Sequence, residues 1–255
     1  MIDMHNHILV DVDDGPQSIN EAIELLKQAK GEGVTDIVVT PHHLHTKYSN
    51  DIEKVKIKLN ELKNNPEIKE LELRLYAGQE IRITDQIIEG IKNGEIEGIN
   101  ESRYLLIEFP SNEIPYYTNQ LFYELQNMGY MPIIAHPERN KAIAQNLDLL
   151  FDLINGGALS QITTSSLLGD FGSNARKLSL KMIDSNLAHF IASDAHSATN
   201  RPFILKKLFH ERKLKAYYEE LESYIENGKL VLKDERISKH IPTQDYKQKK
   251  WFGLI

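Results

Sequence analysis

Short apolar runs alternate with amphipathic stretches along this chain, and the alternation keeps one order almost throughout. The first apolar run, residues 2–4, closes on His5 and His7. Ser18-Ile19-Asn20-Glu21 then reads as a capping box, the serine accepting from an early helix N–H while the glutamate reaches back. Ala22, Ile23, Leu25, Leu26 and Ala29 follow at helical spacing and stop near Gly31 and Gly33. Residues 36–40, rich in β-branched side chains, predict a second strand. Asn50 and Glu53 open a further helix that Pro66 ends, and residues 71–77 predict a third strand with a short helix over 84–92. Residues 104–109 form the fourth run, and Pro115 suits the first turn of a helix reaching Gly129. Residues 131–135 are the fifth run, followed by a helix to Gly156-Gly157. Residues 158–163 are the sixth, with a helix opened by Ser173, and residues 188–193 the seventh, with a long helix through Tyr224.

Seven strand–helix units in one series predict an α/β fold with a parallel sheet and helices outside it. Closed, such a sheet is a barrel; open, it is a doubly wound layer. With no internal repeat and no flexible linker, residues 1–255 read as a single domain. The rhythm breaks at about 229. From there Lys229, Lys233, Arg236, Lys239, Lys247, Lys249 and Lys250 face three acids, and the chain closes on the apolar Trp251-Phe252-Gly253-Leu254-Ile255. This basic extension suits docking on an acidic partner or on a second copy, as a homo-oligomer, and equally a packing extension of the last helix.

Composition narrows the picture. With 255 residues, 41% hydrophobic and 26% charged, the chain has the makings of an ordinary globular core. A formal net charge of −7 does not advertise nucleic-acid binding. There is no cysteine, hence no disulfide, thiolate metal site or cysteine nucleophile. The start lacks a basic segment followed by a long apolar run, and no stretch approaches the roughly 20 apolar residues of a spanning helix. The expectation is a cytoplasmic protein without membrane insertion.

The chemistry-bearing residues cluster at the ends of the predicted strands. His5-Asn6-His7 ends the first, with Asp13-Asp14-Gly15-Pro16 in the same loop; His42 and His43 end the second, and Glu80 the third. Glu108 closes the fourth, His136-Pro137-Glu138-Arg139 the fifth, and Ser193-Asp194-Ala195-His196 the seventh. In α/β barrels the C-terminal strand ends gather into one site, so distant residues would meet there. Neutral imidazoles and carboxylates suit zinc, manganese or iron. The ligand set exceeds what one ion can use, which points to two or three ions sharing carboxylates. Taken singly these residues say little: a His-x-His after a strand is weak evidence, and Asp-Asp-Gly-Pro is more often a turn. It is the set that argues for metal. His189, at the start of the seventh run, reads as structural; His43 and His45 as loop residues; His210 and His240 carry no assignment. Arg139 and Arg201 each follow a ligand loop, and a guanidinium offers phosphate a paired fork of donors. No P-loop is present.

Together, His5-Asn6-His7, Asp13-Asp14-Gly15-Pro16, Thr40-Pro41-His42, Gly78-Gln79-Glu80, Ile107-Glu108-Phe109, His136-Pro137-Glu138-Arg139 and Ser193-Asp194-Ala195-His196 resemble the PHP (polymerase and histidinol phosphatase) superfamily. More closely, the chain resembles its bacterial manganese-dependent protein-tyrosine phosphatases of capsule and exopolysaccharide regulation, from residue 1 to about 201. The resemblance implies a distorted (β/α)7 barrel and a centre of three divalent ions, with manganese expected and iron, zinc or magnesium as alternatives. It implies His5, His7, Glu80 and Asp194 on the first ion, Glu80, Glu108 and His136 on the second, and Asp14, His42 and His196 on the third. Many members of the superfamily have histidine where this chain has Glu108; the glutamate matches the tyrosine-phosphatase branch. Arg139 and Arg201 match positions that hold phosphate in that branch. The implied reaction is hydrolysis of protein phosphotyrosine, on bacterial tyrosine kinases and their substrates, by a metal-bridged hydroxide. A small-molecule phosphatase of the histidinol-phosphate type, a nuclease, and a non-catalytic metal-binding scaffold are the competing readings.

Overall fold

The computed structural model describes residues 1–247. Its strand segments are β1 (Ile2–Asn6), β2 (Asp36–Val39), β3 (His42–His43), β4 (Arg74–Ala77), β5 (Glu80–Arg82), β6 (Tyr104–Glu108), β7 (Met131–Ala135), β8 (Leu159–Thr163) and β9 (Phe190–Ala192). Every pairing among them is parallel. The seven expected strands appear as nine segments because two are broken. β2 and β3 flank Thr40-Pro41, where proline has no N–H to give the ladder. β4 and β5 flank Gly78-Gln79; a Cβ on Gly78 would lie 3.0 Å from Val38 Cγ1, so the chain runs close to its neighbour there. The third strand therefore extends past Ala77, and Glu80 opens its second segment instead of following its end.

The breaks divide the ladder into β1-β2-β4 and β3-β5-β6-β7-β8-β9. At the opposite seam, just beyond β9, Asp194 N donates to His5 O and His7 N to Ala195 O, both at 2.8 Å. The result is a distorted α/β barrel of seven strand positions. Apart from β4, where Arg74 is exposed, its strands are mostly buried on both faces, and Ile37, Val38 and Val39 are fully enclosed, as parallel strands sandwiched between an interior and a helical layer must be.

The helices follow the predicted order with shifted ends. Ser18 caps Ile19–Gly31 by accepting from Glu21 N, but the Glu21 carboxylate takes the N–H of Gln17, not of Ser18. Ile52–Asn64 is capped by Asp51; the Asn50 amide turns inward and donates to Val12 O and His42 O. Pro66 opens the short helix Pro66–Lys69 instead of merely ending the previous one. The short helix after β5 is Ile87–Lys92. Pro115 stands ahead of Thr118–Asn127, its carbonyl receiving Thr118 N. The single helices expected after β7 and β8 are each two: Lys141–Gln145 with Asp148–Asn155, and Thr164–Leu168 with Gly172–Asp184.

The last helix, Tyr218–Leu232, runs past Tyr224, so Lys229 belongs to it and not to the extension. It covers the seam between β1 and β9, with Gly228 so close to Ile2 that a Cβ would lie 3.0 Å from Ile2 Cγ2. Beyond it the chain lies along the barrel: Asp234 pairs with Arg103 at 2.8 Å, and Lys239 donates to the carbonyls of Ile154 and Gly157. Lys249, Lys250 and the apolar end fall outside the described residues. No described helix is long and apolar enough to cross a membrane.

Candidate metal centre

The strand register brings the predicted ligands to one end of the barrel. His42 sits opposite Glu80, and Arg82 opposite Glu108. His5 lies in β1 and Glu108 ends β6, while His7, His136, Asp194 and His196 come just past strand ends. His136 and Asp194 hold left-handed backbones, φ 33° and 53°. Each such residue costs of order 1–3 kcal/mol unless its surroundings enforce it, and such strain gathers where side chains must be aimed. Gly15 holds the Asp14 loop against β1: a Cβ there would lie 2.1 Å from His7 O, which no side chain permits.

All nine expected ligands converge. The Nε2 atoms of His5 and His7 face Glu80 Oε2 at 3.4 and 3.2 Å and Asp194 Oδ1 at 3.5 and 3.6 Å. His136 Nε2 meets Glu80 Oε1 at 2.6 Å and lies 4.0 Å from Glu108 Oε1. His42 turns Nδ1 to Glu80 Oε2 at 2.9 Å and Nε2 to Asp14 Oδ1 at 3.5 Å, where His196 Nε2 also arrives at 3.3 Å. Three sets of atoms are close enough to surround an ion: His7, Asp14, His42 and His196; His5, His7 and Glu80; His42, Glu80 and Glu108. They overlap the grouping implied by resemblance and depart from it in three respects, the first being that Asp194 is not in the His5 set. His7 joins the Asp14 set, and His42 takes the place of His136 beside Glu80 and Glu108.

The donor atoms themselves supply the test of fit. His5 Nε2, His7 Nε2, His42 Nδ1, His196 Nε2, Glu80 Oε2, Glu108 Oε2 and Asp194 Oδ1 are all buried and make no hydrogen bond, Glu108 Oε2 having only an ion pair with Arg82. Orphaned buried polar atoms are rare, because each costs about 1–3 kcal/mol. Seven converging on one another are what a set of cation ligands looks like without its cations. The other ring nitrogens are engaged: His5 Nδ1 with Gln161 Oε1 (2.6 Å), His7 Nδ1 with Asp13 Oδ2 (2.7 Å), His196 Nδ1 with Asp194 O (2.9 Å). Such outer partners set the ring orientation that metal binding needs.

The electrostatics agree. Burial alone would raise the pKa of Glu80, but the imidazoles of His42, His5 and His136 outweigh it and hold the carboxyl well below its usual range. Asp194 is held down in the same way, by Arg139, His5 and Arg201 against burial. Burial and the Glu80 charge push Glu108 up to about 7. Burial, then Arg139, brings His136 down to about 4. His7 rises well above its ordinary value because Asp13 and Glu80 outweigh burial.

A cleft of about 330 Å³ opens over these groups, with Arg82, Arg139 and Arg201 in its walls. Arg139 Nη2 and Arg201 Nη2 both reach Asp194 Oδ2, at 2.6 and 2.5 Å. Phe171 lies under the Arg139 guanidinium, 5.0 Å from ring centre to carbon. His45 reaches the cleft and stacks on His42, whereas His43 belongs to β3 and not to a loop. His189 is structural, its Nδ1 accepting from Ser160 N. Sequence reasoning missed Arg82, Gln161 and Asp13 as participants. Arg82 had a usable signal, standing two places after Glu80 and so on the same strand face. Gln161 had none, since β8 is the strand position that contributes no ligand.

These features define a parallel α/β barrel whose rim carries His/Asp/Glu clusters able to hold metal ions. The model of the family "Capsular polysaccharide synthesis, CpsB/CapC" matches residues 1–233, and the chain belongs to that family. It is 87% identical over 255 residues to the putative tyrosine-protein phosphatase CapC of Staphylococcus aureus, covering 100% of both chains. It is 39% identical to the tyrosine-protein phosphatase YwqE of Bacillus subtilis (strain 168), again over 100% of each. Among solved structures, one of those described as YwqE from Bacillus subtilis and CpsB from Streptococcus pneumoniae, "unique metal-dependent tyrosine phosphatases", superposes with a TM-score of 0.90 at 38% identity, over 95% of this chain and 98% of that one.

Proposed function

We propose that this protein hydrolyses phosphotyrosine on proteins, with a capsule-associated bacterial tyrosine kinase and that kinase's substrates as targets. The observation that carries the reading is the convergence of two guanidinium groups, Arg139 and Arg201, on one carboxylate oxygen directly beside the orphaned ligand atoms. Read as cation ligands and phosphate-binding donors, these groups would act together in one cleft. The names of its relatives support the substrate class.

His5, His7, Glu80 and Asp194 would hold one divalent ion, Glu80, Glu108 and His136 a second, and Asp14, His42 and His196 a third, with manganese the expected metal. Bound there, such ions supply Lewis acidity and a water acidified toward neutral pH. The chain's own groups do the rest. Arg139 and Arg201 bind the equatorial phosphate oxygens, align phosphorus for in-line attack, and offset the charge redistributed during transfer. Asp194 orients both guanidiniums through Oδ2 while its Oδ1 faces His5 and His7. The leaving group is a phenolate whose conjugate acid has a pKa of about 10, so no strong general acid is required. No covalent phosphoenzyme is needed, in keeping with a chain that has no cysteine.

The test is parallel turnover of a phosphotyrosine peptide, histidinol phosphate and single-stranded DNA, each after exhaustive chelation and after manganese is restored. Manganese-dependent release of phosphate from the peptide above the other two is expected. Preference for histidinol phosphate or DNA, or full activity in protein shown to be metal-free, would refute the reading.

A further inference from the structure

Arg82 is the one arginine of the cleft that makes no ion pair with Asp194, and it lies outside the motif positions of the family resemblance. It stands in β5, two residues after Glu80, and is the register partner of Glu108 across the β5–β6 pairing. Neighbouring parallel strands present register partners on the same face, so the two side chains meet by construction. Arg82 Nη2 lies 2.9 Å from Glu108 Oε2, and Arg82 Nη1 donates to Phe109 O at 2.9 Å. One guanidinium thus grips both the Glu108 carboxylate and the peptide that follows it. The pair is well shielded, with side-chain exposures of 16% and 13%.

The two oxygens of Glu108 have different surroundings. Oε2 faces Arg82, with His42 Nδ1 3.9 Å away, whereas Oε1 faces His136 at 4.0 Å. Glu108 also stands near Glu80, a second buried carboxylate, with which His42 Nδ1 is shared. Two carboxylates so close repel each other, and the free choice for Glu108 is to turn away from Glu80. A cation anchored at Phe109 O opposes that turn.

We propose that Arg82 is a positioning residue of the metal centre: by pairing with Glu108 Oε2 from the adjacent strand, it aims that carboxylate at the ion shared with Glu80 and His136. This rests on the reading of these residues as a metal centre, and not on the identity of the substrate. Arg82 itself contacts no ion. Its own charge opposes a nearby cation, so any gain in affinity has to come through Glu108.

The experiment measures manganese binding by equilibrium dialysis with elemental analysis, in the full chain, for Arg82→Met, Arg82→Lys, Glu108→Gln and the Arg82→Met/Glu108→Gln pair. Affinity for one ion should fall about 10- to 100-fold in Arg82→Met, the usual cost of losing an outer-shell partner. Lysine keeps the charge and loses the fork, so Arg82→Lys should recover part of the loss. In the Glu108→Gln background, Arg82→Met should add nothing, since its route to the ion is gone. A merely structural role would lower the melting temperature in chelator and leave manganese affinity alone. Unchanged affinity in Arg82→Met or Arg82→Lys, or a further loss on the Glu108→Gln background, would overturn the proposal. Affinities that shift as described in a protein that turns over no phosphotyrosine would sink the substrate reading alone.

Discussion

The two ends of the barrel are built on opposite principles. At the end where strands begin, polar groups find ordinary partners. Arg74 forks onto Asp36, Arg103 takes both the carboxylate and the carbonyl of Asp234, and Lys239 caps the carbonyls of Ile154 and Gly157. At the end where strands finish, buried nitrogens and oxygens lack hydrogen bonds, like charges crowd together, and two of the expected ligands have left-handed backbones. The first end is satisfied largely by the chain itself, His189 Nε2 being an exception; the second gathers its unsatisfied atoms around one cleft. A fold tolerates the second because the helices, the continuous core and the seam-covering Tyr218–Leu232 carry the stability.

The sharpest way to break the comparison is to remove a shared ligand. Glu80→Ala or Asp194→Ala should abolish the bound metal at one or more sites and lower kcat/KM by roughly a thousandfold or more, the scale set by loss of preorganised electrostatics. Metal content and turnover are measured together; near-normal values of both would contradict the assignment. The same logic gives a sign test. In chelator, Glu108→Gln should raise the melting temperature, because burial and the Glu80 charge disfavour this carboxylate by more than the Arg82 pairing favours it. Asp234→Ala, at the other end, should lower it and leave kcat/KM as it was. Equal signs in the two variants would erase the distinction.

A smaller effect separates phosphate binding from metal binding. Arg139→Ala and Arg201→Ala should each lose about 2–4 kcal/mol of transition-state stabilisation, a fall of roughly 30- to 1000-fold in kcat/KM on a phosphotyrosine peptide. Metal content should stay intact, since a guanidinium has no lone pair to coordinate with. The double variant should deviate from additivity if both act on one phosphate. Parent efficiency in both single variants would make them simple ion-pair partners of Asp194.

The smallest effect sits in the structural half. Burial, then the Lys239 charge, brings His189 down to about 3 from an ordinary 6.5. Below 6.5 the unfolded chain takes up a proton that the folded one refuses until about 3. The stability associated with neutral His189 is therefore complete above pH 6.5 and is lost as pH falls through that window. The slope is about 1.4 kcal/mol per pH unit at most. His189→Asn keeps an acceptor for Ser160 N and does not titrate, so its stability curve should be flatter between about pH 4 and 6. Denaturant unfolding across that range checks it, and parallel curves for both proteins would count against a neutral His189.

Much of this molecule is legible in its sequence. Strand and helix order, the parallel sheet and the capping of Ser18 follow from periodicity and local hydrogen-bond chemistry, which act over a few residues. The convergence of His5, His7, Asp14, His42, Glu80, Glu108, His136, Asp194 and His196 followed from one rule, that strand ends of an α/β barrel share a rim. What failed was local detail governed by distant atoms. Asn50 looked like a helix cap, but the carbonyls of Val12 and His42 claim its amide and leave the cap to Asp51.

Sequence by itself determined which residue types arrive at the rim, since alternation in a strand decides which side chains share its inner face. Only the tertiary structure decided how they face one another. That Glu80 meets four imidazoles, that Gln161 and Asp13 set the rings of His5 and His7, and that Arg82 stands beside Glu108 depend on register between strands far apart in the chain. Register is chosen by packing over the whole barrel, and no short stretch of sequence contains it.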